Sequence, residues 1–397
     1  MGGRAARQAL RAAPIPEDQK PVRPGLSSGR YQPLSQEQVL RIHEAAIETL
    51  ETIGFANSLP SCVELAVAGT RKHVGTSFVD PAHAHQAIDM LEMIAGGEQA
   101  WRERPFVSLS CCFVVPPMRF AEDACRVLEV CVERGMPILL LAAGQAGATS
   151  PASLAGAVVQ EVAEVLGGFV YVNLLKPGHP AIFGTWPFVS DLRTGAMSGG
   201  SGEQAVLMAA CGQMGRFYGL PTGIAAGMAD AKLPDAQSGY EKSYTNVLAG
   251  HSGANLIYEA AGMQASLLGC CLESYVIDND MLGAINRTIR GIEVDDTSLS
   301  VDTIRDVCIG GPNHFLGHDQ TMALMQRDYV YPEVGDRLSP KEWNEKGRPD
   351  LLETARARVA EILSGPRPTH LSAEMDQAIR ARFPVRLNAQ ASGEEAA

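Results

Sequence analysis

The feature that most constrains this chain is a repeat. From His73 onward, short apolar runs alternate with amphipathic helical stretches, with turn residues between them. The run over 74–79 leads through Asp80-Pro81 into a helix over 82–94, and 106–115 leads through Pro116-Pro117 into a helix over 120–133. The nearly unbroken apolar run 137–143 (PILLLAA) leads through GQAGATSP into a helix over 152–166. Residues 169–175 and 181–186 read as strand before a helix over 203–218. The run 222–228 precedes a helix over 237–249, and 256–260 precedes a long helical stretch ending near Asn286. Strands with no polar face are buried on both sides, as in a parallel sheet covered by helices. The pattern predicts an α/β fold of six βα units. A doubly wound sheet and a barrel both fit the alternation. Polar residues at the ends of nearly every strand favour a TIM-type (β/α)8 barrel, whose functional residues gather there.

Ahead of the repeat, residues 35–53 predict a leader helix. Val39, Ile42, Ala46, Leu50 and Ile53 share a face, Ser35 caps with Gln38 three residues on, and Gly54 stops it. After Gly291 the pattern changes: DDTSLSVDTIRDV reads as a capped helix, the segment to Gln326 as a loop and helix, and 351–363 as an amphipathic helix. The organisation expected is an extended arm over 1–34, a barrel domain with leader helix over 35–290, and a helical extension over 291–397 packed on the barrel. Six units are two short of a closed barrel. The join near Ala68-Gly69-Thr70-Arg71 also brings the leader helix almost directly onto the first strand.

A net charge of -12 argues against binding to a nucleic-acid backbone, which needs a basic footprint. Nine cysteines with no CxxC spacing read as reduced, mostly buried thiols in a reducing compartment. The Arg- and Pro-rich start lacks a secretory apolar core, and no later run reads as long and apolar enough to span a bilayer. The expectation is a cytoplasmic protein, with no membrane and no nucleic-acid partner.

Walker, HExxH and GxSxG motifs are absent. Trp186 and Phe188 stand beside Asp191 at a strand end, where aromatic faces could cage an alkylated ammonium or merely plug a barrel. The loop 227–237 gathers Asp230, Lys232, Asp235 and Gln237; it either faces a ligand or is a solvated loop with Asp235 as helix cap. Tyr258 and Glu259 close the next strand, and Glu259 either meets a ligand or pairs with a base such as Lys242. Asp278-Asn279-Asp280 either reaches the pocket or ends its helix. His314 and His318 share one loop; a hydrogen-bonding role is read in preference to zinc, and no metal is expected in this chain. Gly200 and Gly202 form a glycine-rich loop opening a helix, a poor nucleotide fingerprint that could still face a ligand.

Several long segments together resemble the trimethylamine methyltransferase (MttB) family: HVGTSFVDP, AGGEQAWRERPFVSLS, AGQAGATSPASLAGAVVQEVAEVL, KPGHPAIFGTWPFVSDLRTGAMSGGSGEQ, AAGMADAKLPDAQSGYEKS, GANLIYEAAGM, ESYVIDNDMLG and GGPNHFLGHDQT. The resemblance implies a TIM barrel that methylates the Co(I) corrinoid (a cobalamin) carried by a small partner protein, with a small methylated amine as donor and a homo-oligomeric assembly. Archaeal trimethylamine enzymes of this family carry pyrrolysine in or near the region matching 232–235. Ordinary residues there resemble the non-pyrrolysine branch, whose donors are quaternary amines such as glycine betaine. The family also carries an extra segment, with early barrel strands, near the place matching 69–72, which matches the two missing units. For such a donor, the aromatic faces of Trp186, Phe188 and Tyr258 and the carboxylates of Asp230 and Glu259 are the candidates to hold the cation. Lys232, His314 or His318 would hold a substrate carboxylate, Gln237 would line the site, and Gly200 and Gly202 would face the cofactor. Asp230, Lys232 and Glu259 are the residues expected to act in the reaction.

Overall fold

The structure, a computed structural model, describes residues 29, 31–52, 73–78, 80–309, 311–365 and 371–383. Most of the expected arm, the end of the leader helix at Ile53 and the join at 69–72 lie outside the described residues.

The leader helix starts where capping chemistry places it. Ser35 N–H donates to Gln38 Oε1 (2.7 Å), and Gln38 N–H donates to Ser35 Oγ (3.2 Å). The helix Gln36–Thr52 then buries Val39 and Ile42 against the helix Leu154–Leu175. Gln213 fixes its entry by bonding both the N–H and the carbonyl of Leu34 (3.0 and 2.8 Å).

Six strands, Val74–Thr76, Val107–Cys112, Ile138–Ala142, Ala181–Thr185, Thr222–Ala225 and Leu256–Tyr258, form one sheet in chain order. Every neighbouring pair is parallel. A doubly wound sheet would reverse its order at a switch point. Here each βα unit adds the next strand on the same side, as in a barrel, and the sheet is a curled, open arc. No pairing closes the first strand onto the last among the described residues.

The outer face of the sheet carries Val107, Leu109, Ile138, Leu140 and Phe183, packed with Leu128, Val158, Val162 and Leu207 of the covering helices. On the inner face two glycines make room for large neighbours. A Cβ on Gly184 would lie 2.7 Å from Leu139 and 2.4 Å from the Leu140 carbonyl; one on Gly223 would lie 3.0 Å from the Tyr258 ring. The inner wall is therefore low beside Tyr258, where a side chain on either glycine would fill it.

Two readings of the sequence are corrected. Residues 169–175 are not strand: they complete the 22-residue helix Leu154–Leu175. Phe169, Val170, Tyr171 and Val172 favour strands intrinsically, but Val172 is fully buried on the sheet side while Leu174 is 79% exposed. Burial of one helical face wins over propensity. Gly167-Gly168 is no break either; a Cβ on Gly168 would sit 2.4 Å from the Phe113 ring, so glycine lets the helix approach that ring. By length and composition this helix is also apolar enough to cross a membrane, contrary to the expectation that no run would be. Half of it is buried inside the fold, and it carries Gln160, Glu161 and Glu164 inward.

Asp278 and Asp280 neither line a pocket nor end a helix; both lie inside Leu272–Arg290. Asp278 receives the Nζ of fully buried Lys242 (2.7 Å) and the N–H of Gly262 (2.8 Å). Asp280 accepts the consecutive N–H groups of Glu333, Val334 and Gly335 (2.8, 2.8 and 2.9 Å). The segment after Gly291 is thus tied back to this helix, and Leu351–Ser364 packs along it. Arg290 adds a bond to Asp328 (2.7 Å).

Glu164 is buried, accepting from Met118 N–H (2.8 Å) and Gln160 Nε2 (3.2 Å), and its second oxygen has no partner among the described residues. Burial raises its carboxyl from 4.5 to about 7, against the opposing pull of those two bonds.

Two outcomes follow for stability. Removing either member of the Lys242–Asp278 pair strands a buried charge, so Asp278→Ala is expected to lose about 3–5 kcal/mol in denaturant unfolding. The double change Lys242→Met with Asp278→Leu should lose less than the single. For Glu164, the folded state holds its proton up to about 7 while the unfolded state releases it near 4.5. Its contribution is complete below the lower value and drains away as pH rises through the upper one. Unfolding measured across that window should show a shallower fall in stability for Glu164→Gln than for the wild type.

Candidate functional site

The loops that follow the strands gather at their C-terminal ends. Beyond Ala142 and Thr185 the chain continues in a second short parallel ladder, Gln145 beside Phe188 and Ala146 beside Val189. Gln145 Nε2 bonds Ser190 Oγ across it (2.8 Å). This ladder fixes Trp186 and Phe188 at the rim, with ring centroids 5.3 Å apart. The Tyr258 ring meets Trp186 edge-on, 6.0 Å away at 85°. Met208, Ala225 and Met228 pack beneath. Tyr258 points its hydroxyl back into the sheet, donating to the Thr185 carbonyl (2.6 Å), so its ring faces the cluster; burial pushes its phenol well up. The Trp186 Nε1–H is buried with no partner among the described residues.

Under this aromatic cluster lies Glu161, 1% exposed, which the sequence pattern does not single out. Its Oε1 accepts from Trp186 N–H (2.6 Å) and its Oε2 from Gly144 N–H (3.3 Å), the first residues beyond two adjacent strands or close to them. Burial raises its carboxyl well above the usual range, and nearby Glu164 raises it further, against the opposing pull of the two N–H bonds. The available signal was the placing of Gln160, Glu161 and Glu164 on a helix otherwise apolar throughout.

The next loops are held by carboxylates as well. Asp230 Oδ2 accepts from Ser198 Oγ (2.5 Å), and its Oδ1 accepts from Gly199 N–H (2.7 Å) and from Ser266 Oγ. Glu241 Oε2 accepts from the N–H groups of Asp230 and Ala231 (2.8 and 3.2 Å), and its Oε1 accepts from Gln237 Nε2 (2.9 Å). Ala265, Ser266 and Leu267 run at φ 50, 50 and 76, three consecutive left-handed residues, each costing of the order of 1 kcal/mol or more. Bonds from Ala265 and Ser266 N–H to the carbonyls of Ala231 and Ala229 hold them (2.8 Å each).

Glu259 stands apart. It is half-buried at φ 60, and no hydrogen bond or ion pair reaches it among the described residues. Burial alone raises its carboxyl. The alternative partner weighed for it, Lys242, is committed to Asp278.

The structure therefore brings Trp186, Phe188 and Tyr258 into one cluster, with Glu259 next in chain to Tyr258. Asp230 is engaged by three donors, exposed Lys232 bonds the Asp230 carbonyl (2.6 Å), and Gln237 braces Glu241. Gly200 is closed over by its own chain: a Cβ there would lie 2.6 Å from the Glu241 carboxyl, and its carbonyl accepts from Tyr244. Gly202 faces open space as the first residue of the helix Gly202–Phe217. His314 is exposed, and His318 caps the helix Asp319–Arg327 by accepting from Gln320 N–H at Nδ1 (3.1 Å). Aromatic faces are groups that an alkylated cation packs against.

The chain was compared with known proteins. The family model described as "Trimethylamine methyltransferase (MTTB)" matches residues 61–389. Trimethylamine methyltransferase MttB of Methanosarcina thermophila is 35% identical over 301 residues, covering 75% of this chain and 61% of that protein. Glycine betaine methyltransferase of Desulfitobacterium hafniense is 31% identical over 298 residues, with the same two coverages, 75% and 61%. The crystal structure of the Methanosarcina barkeri monomethylamine methyltransferase MtmB aligns with 90% of this chain and 91% of its own at TM-score 0.39 and 10% identity, too distant for any residue to be carried across. The chain spans about 61% of the length of the curated relatives it matches. With the family model covering most of its residues, this chain belongs to the trimethylamine methyltransferase (MTTB) family.

Proposed function

We propose that this chain is a corrinoid-dependent methyltransferase whose donor is a quaternary amine of the glycine betaine type, and whose acceptor is the corrinoid of a small partner protein. The observation that carries this reading is the aromatic cluster of Trp186, Phe188 and Tyr258, followed in the chain by Glu259, a half-buried carboxylate with no hydrogen-bond or ion-pair partner among the described residues. A carboxylate in partly apolar surroundings is costly without a countercharge. A methylated ammonium supplies one, and its methyl groups pack against aromatic faces.

The chemistry suits a site without an evident acid–base pair. The methyl–nitrogen bond breaks with its electron pair staying on nitrogen, so the leaving group is a neutral tertiary amine and needs no proton. The protein has to hold the cation, point one methyl outward and exclude water. Trp186, Phe188 and Tyr258 would do the first, with Glu259 as countercharge, and Lys232 at the rim would meet a substrate carboxylate. A bound corrinoid would supply a nucleophilic cobalt as methyl acceptor. Of the two glycines read as facing it, Gly202 keeps that role because it opens on free space, whereas Gly200 is closed by Glu241 and Tyr244. A tertiary amine such as trimethylamine is the second reading, favoured by relatives that bear that name. The reading includes a cytoplasmic location and a homo-oligomer; free cysteines at all eight described positions accord with a reducing compartment.

Methyl transfer to cob(I)alamin, assayed with glycine betaine, other betaines and trimethylamine, tests the function. Transfer from a betaine supports it, and transfer from none of the panel overturns it. Trp186→Ala should raise KM for the amine about tenfold, within the range of a desolvated cation–π contact, with an unchanged circular dichroism spectrum. Unchanged kinetics would remove the cage from the mechanism. Glu259→Gln should weaken binding of the same amine, and equal affinity would show that Glu259 serves something else.

A further inference from the structure

Glu161 has an environment that its structural bonds leave unexplained. Buried carboxylates in folded proteins are ordinarily matched by a cation. Among the described residues, the titratable groups facing this one are Glu164 from its own helix, Cys112 from the second strand, Cys211 from the helix Gly202–Phe217 and Tyr258 from the sixth strand. All four are acids. The rest of its coordination is two backbone N–H groups, of Trp186 and Gly144. A glutamine could accept one such bond at no electrostatic cost, so the charge itself calls for another partner.

We propose that Glu161 is a positioning residue for a cationic ligand: it anchors the main chain of Trp186 and Gly144 beneath the aromatic cluster and supplies the buried negative charge that an ammonium at that cluster balances. The inference rests on the amine reading of that cluster and deepens it. Glu161 acts through Trp186 and through the local field, because both its oxygens are already engaged by main-chain donors. In the absence of ligand, burial favours the neutral carboxyl. An ammonium placed near the cluster favours the ionised form, so ligand uptake is coupled to release of a proton.

The test compares glycine betaine with tert-butylacetate, its analogue with carbon in place of nitrogen. The two share shape and carboxylate and differ only in the ammonium charge. Calorimetry on the wild type should show betaine binding more tightly as pH rises, with proton release into the buffer, and tert-butylacetate showing neither. Glu161→Gln should weaken betaine about tenfold while leaving tert-butylacetate within about twofold, a split that loss of structure alone would not produce. If the variant does not fold, the wild-type pH dependence and proton release stand as the test. Betaine binding without either overturns the inference. So does a folded variant that keeps the wild-type preference for betaine. A wild type that binds betaine and tert-butylacetate equally, or binds neither, instead defeats the amine reading, and this inference with it.

Discussion

A parallel strand that ends inside a protein leaves its last amide groups beyond the reach of the sheet, and each buried N–H must find an acceptor. In this chain many of the acceptors are carboxylates, beside hydroxyls such as Thr245 for Gly227 N–H. Glu161 takes the N–H of Gly144 and shares that of Trp186 with the Ala142 carbonyl, Glu164 takes that of Met118, Asp230 that of Gly199, Glu241 those of Asp230 and Ala231, and Asp278 that of Gly262. A carboxylate has several lone pairs and no donor of its own, so one side chain can fix two loops or two consecutive residues. The loops that follow the strands are held in shape by this set of acids as much as by the sheet beneath them.

That solution has an electrostatic consequence. Charge-assisted bonds to backbone N–H groups favour the ionised carboxyl, whereas burial disfavours it. At Asp278 the conflict is resolved by Lys242, fully buried and 2.7 Å away. At Glu161 and Glu164 no base is near among the described residues, and burial prevails, leaving both carboxyls raised. The strand-end region therefore has more negative capacity than its own cations balance. In a chain with net charge -12 this is a local property of the site, where low polarity magnifies it, and is not a simple reflection of the total.

The parts that were legible in the sequence are those set by neighbours along the chain. The six strands, the leader helix with its Ser35–Gln38 cap and the aromatic residues at strand ends all follow from local pattern, since a strand end is visible wherever an apolar run stops. The failures share a cause in contacts between distant residues. Residues 169–175 carry strand-forming side chains, and only the surface offered by the sheet and neighbouring helices makes them helical. Glu161 is invisible as a strand-end residue because its partners lie 17 and 25 positions away, and Asp278 because Lys242 is 36 away. Gly200 followed the pattern of a ligand-facing loop, but the carboxyl that fills its space comes from Glu241 on another helix.

Glu259 is read against this background. Were it another loop-holding acid, it would accept a backbone N–H as Asp230 and Glu241 do, and its left-handed backbone would be compensated by the bonds it makes. Instead its φ of 60 is maintained with no donor to the carboxyl among the described residues, so none of those residues' bonds to the side chain offsets the strain. Glu161 and Glu259 then complement each other. One is sealed under the aromatic cluster and shapes it, and the other is half-open beside Tyr258. On the proposed reading, the aromatic faces would make the contacts with the cation, and the two acids would supply the field that favours it.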